Sequence, residues 1–307
     1  MKSDICVFCE ASNLKVLVPA RVLPDEVNVL QCRDCDLVFL ESRNGVSRLD
    51  QEETAYWDGE EQKRIYLESK IQETFVKEFE KRLAFLERYT RGAGKLLDVG
   101  CGIGHFLYTA RKRGWEVQGI DISQAASQAA QDAYGLEVQV GTLENASFSR
   151  AQFDAITLWD VIEHIRRPLQ NLKAVNQFLR MGGFLVMKTP NEASFFKQFA
   201  RACFKFFGEK GNFLLKYVYY VPHYFSYSEK TMAKLLALSG FEMVKCELDE
   251  TPFEFAVEKI HTHYAKDPKR KLVIALLGIG QAIARLLKRH NKIVVYARKV
   301  REAETNG

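Results

Sequence analysis

The sequence predicts a doubly wound α/β sheet with a small cysteine-bound module in front of it. Three observations carry that expectation. Apolar runs alternate with helical stretches from residue 95 onward, a glycine-rich turn follows the first of these runs, and two CxxC pairs stand within the first 35 residues. Strands separated by helices imply parallel strands joined by crossovers. A chain of 307 residues is long enough for two domains, one of them small.

The module comes first. "CVFCE" and "QCRDC" bracket the strand-like runs "LKVLVPARVL" and "VNVL", and "LVFL" follows them. Cys6 and Cys9 pair with Cys32 and Cys35 as two knuckles, the spacing that gathers four thiolates around tetrahedral zinc. Four cysteines leave no open coordination position, so the expected Zn2+ is structural, and it fixes a ribbon over 1–45 too short to build its own core. Residues 1–50 hold 6 basic and 8 acidic side chains, which argues against nucleic acid as the ribbon's partner. Cys101, Cys203 and Cys246 read as packing thiols. An odd cysteine count without a signal-like leader points to a reducing, cytoplasmic setting.

Residues 41–66 are polar but contain Tyr56, Trp57 and Tyr66, expected to pack or to cover a ligand. Ile71, Phe75, Phe79, Leu83 and Leu86 have near-helical spacing and predict a helix over 67–90, closing a linker arm at 46–90.

The sheet then unfolds in order. Strand "KLLDVG" leads to a helix at 103–113, "WEVQGID" to a helix at 123–134, and "LEVQVG" follows. "FDAITLWD", a helix at 168–180, "GGFLVMKTP", a helix at 228–239, "FEMVKCEL" and "KIVVYARK" complete seven strands over 91–301. Segments 192–227 and 250–290 interrupt the pattern.

The first strand ends in Asp98 and turns at Gly100, Gly102 and Gly104. Glycines let backbone approach a ligand, and the following helix offers free amide donors. Asp121 closes the next strand, 21 residues after Gly100, where an acid accepts ribose hydroxyls. The spacing is G-x-G-x-G rather than the dinucleotide G-x-G-x-x-G, so a nicotinamide dinucleotide and an unliganded turn stay open as readings of these residues.

"LLDVGCGIGHFL", "GIDIS", "FDAITLWDVIEHI" and "LRMGGFLVMKTPN", in this order over about residues 95–245, resemble successive motifs of class I S-adenosylmethionine-dependent methyltransferases. The resemblance is to the small-molecule branch with ubiquinone-type O-methyltransferases and sugar methyltransferases. It implies a Rossmann-like seven-stranded sheet with the last strand antiparallel. It also implies that Asp98, Gly100, Gly102 and Gly104 line the methionine side of S-adenosyl-L-methionine, that Asp121 holds the ribose, and that Ile122 lies against the adenine. Leu143, in "GTLE", falls at the adenine edge, while Trp159 and Asp160 flank the sulfonium and the acceptor.

"WDVIEHIRRP" places Asp160, Glu163 and His164 within five residues past a strand end. Three roles stay open: His164 as general base, the three residues around a divalent cation, or a structural brace. His223, in "PHYFS", faces the acceptor pocket or braces its turn; Tyr224, Phe225 and Tyr227 read as packing, and Ser228 as a helix N-cap.

The aromatic and basic segment Phe195–Tyr220 predicts an amphipathic helix that covers the acceptor pocket or lies at a membrane interface. Leu272–Leu287 is apolar on most sides and too short to span a membrane, so it is expected to be buried in protein or at a bilayer surface. Residues 266–301 hold 11 basic and 1 acidic side chains, so an anionic or lipid-linked partner belongs there. The function expected is methyl transfer to a hydroxyl or carbon of a sugar, nucleotide sugar or related small molecule, on a basic surface suited to phosphate. The alternatives are a zinc-ribbon rRNA methyltransferase, disfavoured by "WDVIEH" where an amino-methylation motif would stand, and a binding protein that has lost catalysis.

Overall fold

The computed structural model describes residues 5–23, 27–42, 69–219 and 223–303. Tyr56, Trp57 and Tyr66 lie outside these described residues. The chain forms two compact units. One contains 1–50, 189–232 and 247–294, and the other contains 51–188, 233–246 and 295–307.

In the first unit, β1 (Leu14–Val18), β2 (Val27–Cys32) and β3 (Val38–Ser42) form an antiparallel meander. The strand β9 (Phe225–Ser226) adds to its edge, with Val38 opposite Ser226 and Phe39 opposite Phe225. The segment after Pro190 thus donates both a strand and a core. Val18, Val27, Val29 and Val38 pack with Ala200 of α5 (Phe195–Phe207) and Leu215 of α6 (Leu215–Val218). The ribbon finds in this insertion the apolar partner that its own length cannot supply.

The helix expected over 195–220 is therefore not one helix. It stops at Phe207 because Gly208 takes φ 56° and ψ −136°, a conformation reserved for glycine, and a 3-10 segment over Gly208–Leu214 turns the chain into α6. The same unit holds α8 (Phe253–His263) and α9 (Arg270–Leu286).

The seven-stranded sheet has the order β10-β11-β8-β7-β4-β5-β6, with β10 at Phe241–Asp249 and β11 at Lys292–Lys299. Strands β4 (Lys95–Val99), β5 (Glu116–Asp121), β6 (Val138–Val140), β7 (Phe153–Trp159) and β8 (Leu179–Pro190) pair in parallel, and the chain closes on an antiparallel strand. Central parallel strands are covered on both faces and read as unbroken apolar runs; Leu96, Leu97, Ile156, Leu158, Val186 and Met187 are all buried. β8 begins three residues earlier than "GGFLVMKTP" implies. Phe153 pairs with Leu179 but Ala155 with Phe184, so the residues between bulge out, with Gly182 at φ 77°.

Helices α1 (Ser69–Thr90), α2 (His105–Lys112), α3 (Gln124–Tyr134), α4 (Pro168–Phe178) and α7 (Glu229–Leu238) link these strands. Their ends follow local chemistry. The Ser123 hydroxyl accepts the Ala126 amide at the start of α3, Gly135 closes it in the left-handed region, and Pro168 opens α4. Ser228 caps α7, accepting the Thr231 amide at 3.2 Å.

Candidate active site

β4 carries the chain to the carboxyl edge of the sheet, where ligands bind in open parallel sheets. The turn that follows holds Gly100, Gly102 and Gly104 at φ 67°, 53° and 82°. They serve different ends. A Cβ on Gly100 would meet Val161 at 2.5 Å and one on Gly104 would meet Leu136 at 2.5 Å, so these two permit tight packing. A Cβ on Gly102 would meet nothing within 4 Å, so the backbone there borders open space.

Asp121 closes on this turn. One carboxylate oxygen accepts the Gly102 amide at 2.7 Å, and the other accepts the Ser123 amide at 2.9 Å. A carboxylate is an acceptor-only group, the type that also binds ligand hydroxyls. Beside it, Ile122 is exposed, while Leu143 is buried in a 3-10 turn over Leu143–Asn145.

Asp98 sits beneath the bend rather than on its surface. It is 1% exposed and accepts the Thr157 hydroxyl at 2.6 Å. Burial drives its carboxyl well above the usual range, against the lowering effect of the Thr157 bond, and the charge of Asp121 adds to the rise. Cys101, also buried, has its thiol pushed up by burial and by the charges of Asp121 and Asp98, the reverse of what a reactive thiol needs.

Trp159 ends β7, with its ring 4.9 Å from Phe106 and 5.7 Å from Phe79. Its indole N–H is buried and has no hydrogen-bond acceptor among the described residues. Such a donor costs about 1–3 kcal/mol unless a ligand or water meets it. Asp160 follows at φ 57°, a left-handed conformation that costs a non-glycine residue about 1–2 kcal/mol. Its amide donates to the Lys188 carbonyl at 2.9 Å, which fixes the strained corner. A 3-10 turn over Ile162–His164 then buries Glu163 completely and leaves His164 half-buried.

One feature beneath this corner escapes sequence reading. Lys188 is buried in β8 beside Trp159 and binds both oxygens of Glu78 at 2.8 and 3.0 Å. Glu78 also approaches buried Arg82 at 3.8 Å, and Arg82 donates to the Tyr296 hydroxyl at 3.1 Å. The i,i+4 spacing of Glu78 and Arg82 is the local sequence signal for their pairing.

His223 belongs to the other unit. It is half-buried just before β9, where the Tyr224 carbonyl accepts the Leu40 amide. Tyr224, Phe225 and Tyr227 are buried packing residues.

In that unit the four sulfurs of Cys6, Cys9, Cys32 and Cys35 lie within 4.8 Å of one another. Cys6 and Cys35 are 3.6 Å apart, and Cys9 and Cys32 are 3.5 Å apart. Sulfurs at about 2.3 Å from a tetrahedral zinc lie about 3.8 Å apart, so the donor set fits that ion. The two knuckles repeat each other. The Glu10 amide donates to the Cys6 carbonyl and the Asp36 amide to the Cys32 carbonyl, both at left-handed φ. Burial pushes the Cys6 thiol up to about 11 and raises Cys35 further; a divalent cation reverses this by stabilising the thiolates.

A family model described as a methyltransferase domain matches residues 68–246, more than half of the chain. The chain belongs to the methyltransferase-domain family. The ubiquinone biosynthesis O-methyltransferase of Alkalilimnicola ehrlichii is 37% identical over 103 residues, covering 32% of this chain and 42% of that one. The protein of the same name from Azoarcus sp. is 33% identical over 117 residues, covering 36% and 50%. The chain therefore spans half or less of the length of these relatives. Among solved structures, a putative methyltransferase from Bacillus halodurans superposes with a TM-score of 0.51 at 20% identity, covering 71% of this chain and 98% of that one. A geranyl diphosphate C-methyltransferase from Streptomyces coelicolor, in complex with Mg2+, geranyl diphosphate and S-adenosyl-L-homocysteine, gives 0.50 at 16% identity, covering 81% and 98%. At these identities the likeness is one of fold.

Proposed function

We propose that this methyltransferase-family chain moves a methyl group from S-adenosylmethionine to a hydroxyl oxygen of a small molecule. The observation that carries the reading is the Asp121 carboxylate tied to the Gly102 amide at the edge of open space. A nucleoside ligand with a cationic centre asks for a carboxylate facing ribose hydroxyls and for bare backbone nearby, not for a diphosphate cradle.

S-adenosylmethionine, when bound, supplies the electrophilic methyl group. Asp121 accepts from the ribose hydroxyls, Gly102 lets the backbone approach, and Ile122 and Leu143 flank the adenine. Trp159 offers its buried N–H to the ligand, and the strained Asp160 corner sets where the acceptor stands, since placement is most of what this transfer needs. His164 takes the proton that the acceptor hydroxyl releases. A hydroxyl is common to the sugars that the sequence suggested and to the O-methylation in the relatives' names. The four cysteines hold a structural zinc in this reading.

The test is turnover of S-adenosylmethionine with phenolic and nucleotide-sugar hydroxyl acceptors, with S-adenosylhomocysteine as the product measured. Methylation of one class, lost in His164→Ala with cofactor affinity unchanged, is the expected result. A chain that binds no S-adenosylhomocysteine contradicts the reading.

A further inference from the structure

The helix α9 leaves five large apolar side chains exposed. Its buried face consists of Val273, Gly280, Gln281 and Ala284. Gly280 leaves room there for Phe196 of α5, since a Cβ would meet that ring at 2.5 Å, and Gln281 donates to the Thr251 carbonyl. An adjoining face carries Leu272, Leu276, Ile279, Ile283 and Leu286, with exposures of 51%, 40%, 61%, 37% and 82%. Steps of four, three, four and three put all five on one stripe. A surface helix normally turns such a stripe inward. α5, packed on α9, adds Phe199, Phe206 and Phe207, also exposed.

The charges frame this stripe. Residues 268–290 hold six lysines and arginines and no carboxylate, with Lys269, Arg270 and Lys271 before it and Arg285, Lys288 and Arg289 at its end. Apolar surface of this extent marks an interaction site. A second copy of the chain is a poor occupant, because self-association on this face sets Lys269, Arg270, Lys271, Lys288 and Arg289 against the same five, Arg285 being paired with Glu250. Among the described residues no helix is long and apolar enough to cross a membrane.

We propose that α9, with the phenylalanine end of α5, is a docking face for an anionic lipid bilayer. The helix lies in the plane of the interface, the leucine and isoleucine stripe enters the acyl boundary, and the flanking cations meet lipid phosphates. This docking does not depend on methyl transfer and stands if that reading fails.

The test is sedimentation of the full chain with vesicles of phosphatidylcholine alone and of phosphatidylcholine mixed with phosphatidylglycerol. The wild type is expected to pellet with the mixed vesicles, less so at high salt, and to stay in solution with the neutral ones. Ile279→Glu with Leu286→Glu is expected to lower the bound fraction on the order of tenfold or more. Leu286→Gln alone, at the most exposed position of the stripe, gives a milder loss and guards against misfolding of the double variant; melting curves verify the fold of each. Three results overturn the proposal: no binding to the anionic vesicles, binding that ignores lipid charge or these substitutions, and a wild-type dimer in light scattering that Ile279→Glu splits.

Discussion

The cysteine cluster and the glycine turn are both built from short backbone bends at left-handed φ, yet one closes on itself and the other stays open. In the knuckles the left-handed residues are Glu10 and Asp36, and every donor sulfur faces the other three. In the turn they are glycines, the central one borders empty space, and Asp121 spans the Gly102 and Ser123 amides. A closed set of four equal donors suits a resident ion that acts through stability. An open set of unlike groups suits a ligand that enters and leaves.

The sharpest way to break that contrast is to open the closed site. Cys32→Ser, or exhaustive chelation, is expected to release one zinc per chain and lower the melting midpoint by many degrees, because binding free energy at such sites is folding free energy. A metal assay showing no zinc in freshly purified wild type defeats it. In the open site, His164→Ala is expected to cut turnover on the order of 10²–10⁴-fold while calorimetry finds cofactor affinity unchanged. Equal turnover would leave His164 only a bracing role. Gly102→Ala should be milder than either. Space is available for the methyl group, so the cost is the left-handed backbone, about 1–2 kcal/mol in the melting free energy.

The smallest effect lies away from both sites. Arg113 holds the Glu87 carboxyl below the usual carboxylate range, against burial, with Trp115 also donating to it. A depressed folded-state value contributes stability above the unfolded value and loses it as pH falls through the folded one. Glu87→Gln is therefore expected to cost under about 1 kcal/mol at neutral pH, and the gap from wild type should close in acid melts.

What could be read from sequence divides along the same line. The knuckle spacing, the glycine turn, Asp121 and seven strands stand in local pattern, and their boundaries fall within about three residues of the observed ones, because periodicity and turn chemistry are local. The missing parts are long-range. β9 is two residues long and is a strand only because β3 lies beside it. The Lys188–Glu78–Arg82 chain joins positions 110 apart in sequence. The burial of Asp98 depends on Thr157 from a neighbouring strand. For α9 the sequence announced an apolar helix but not which face the rest of its unit would cover, and the exposed stripe emerges only from the packing of Gly280 on Phe196.

The central claim is that Asp121 and the bend at 100–104 form one nucleoside grip. Calorimetric titration with S-adenosylhomocysteine tests it most directly. The account predicts saturable binding by the wild type and a loss of about 1–3 kcal/mol in Asp121→Ala, the worth of charged hydrogen bonds. A flat wild-type trace, a variant that binds equally well, or tighter binding of a nicotinamide dinucleotide would contradict it.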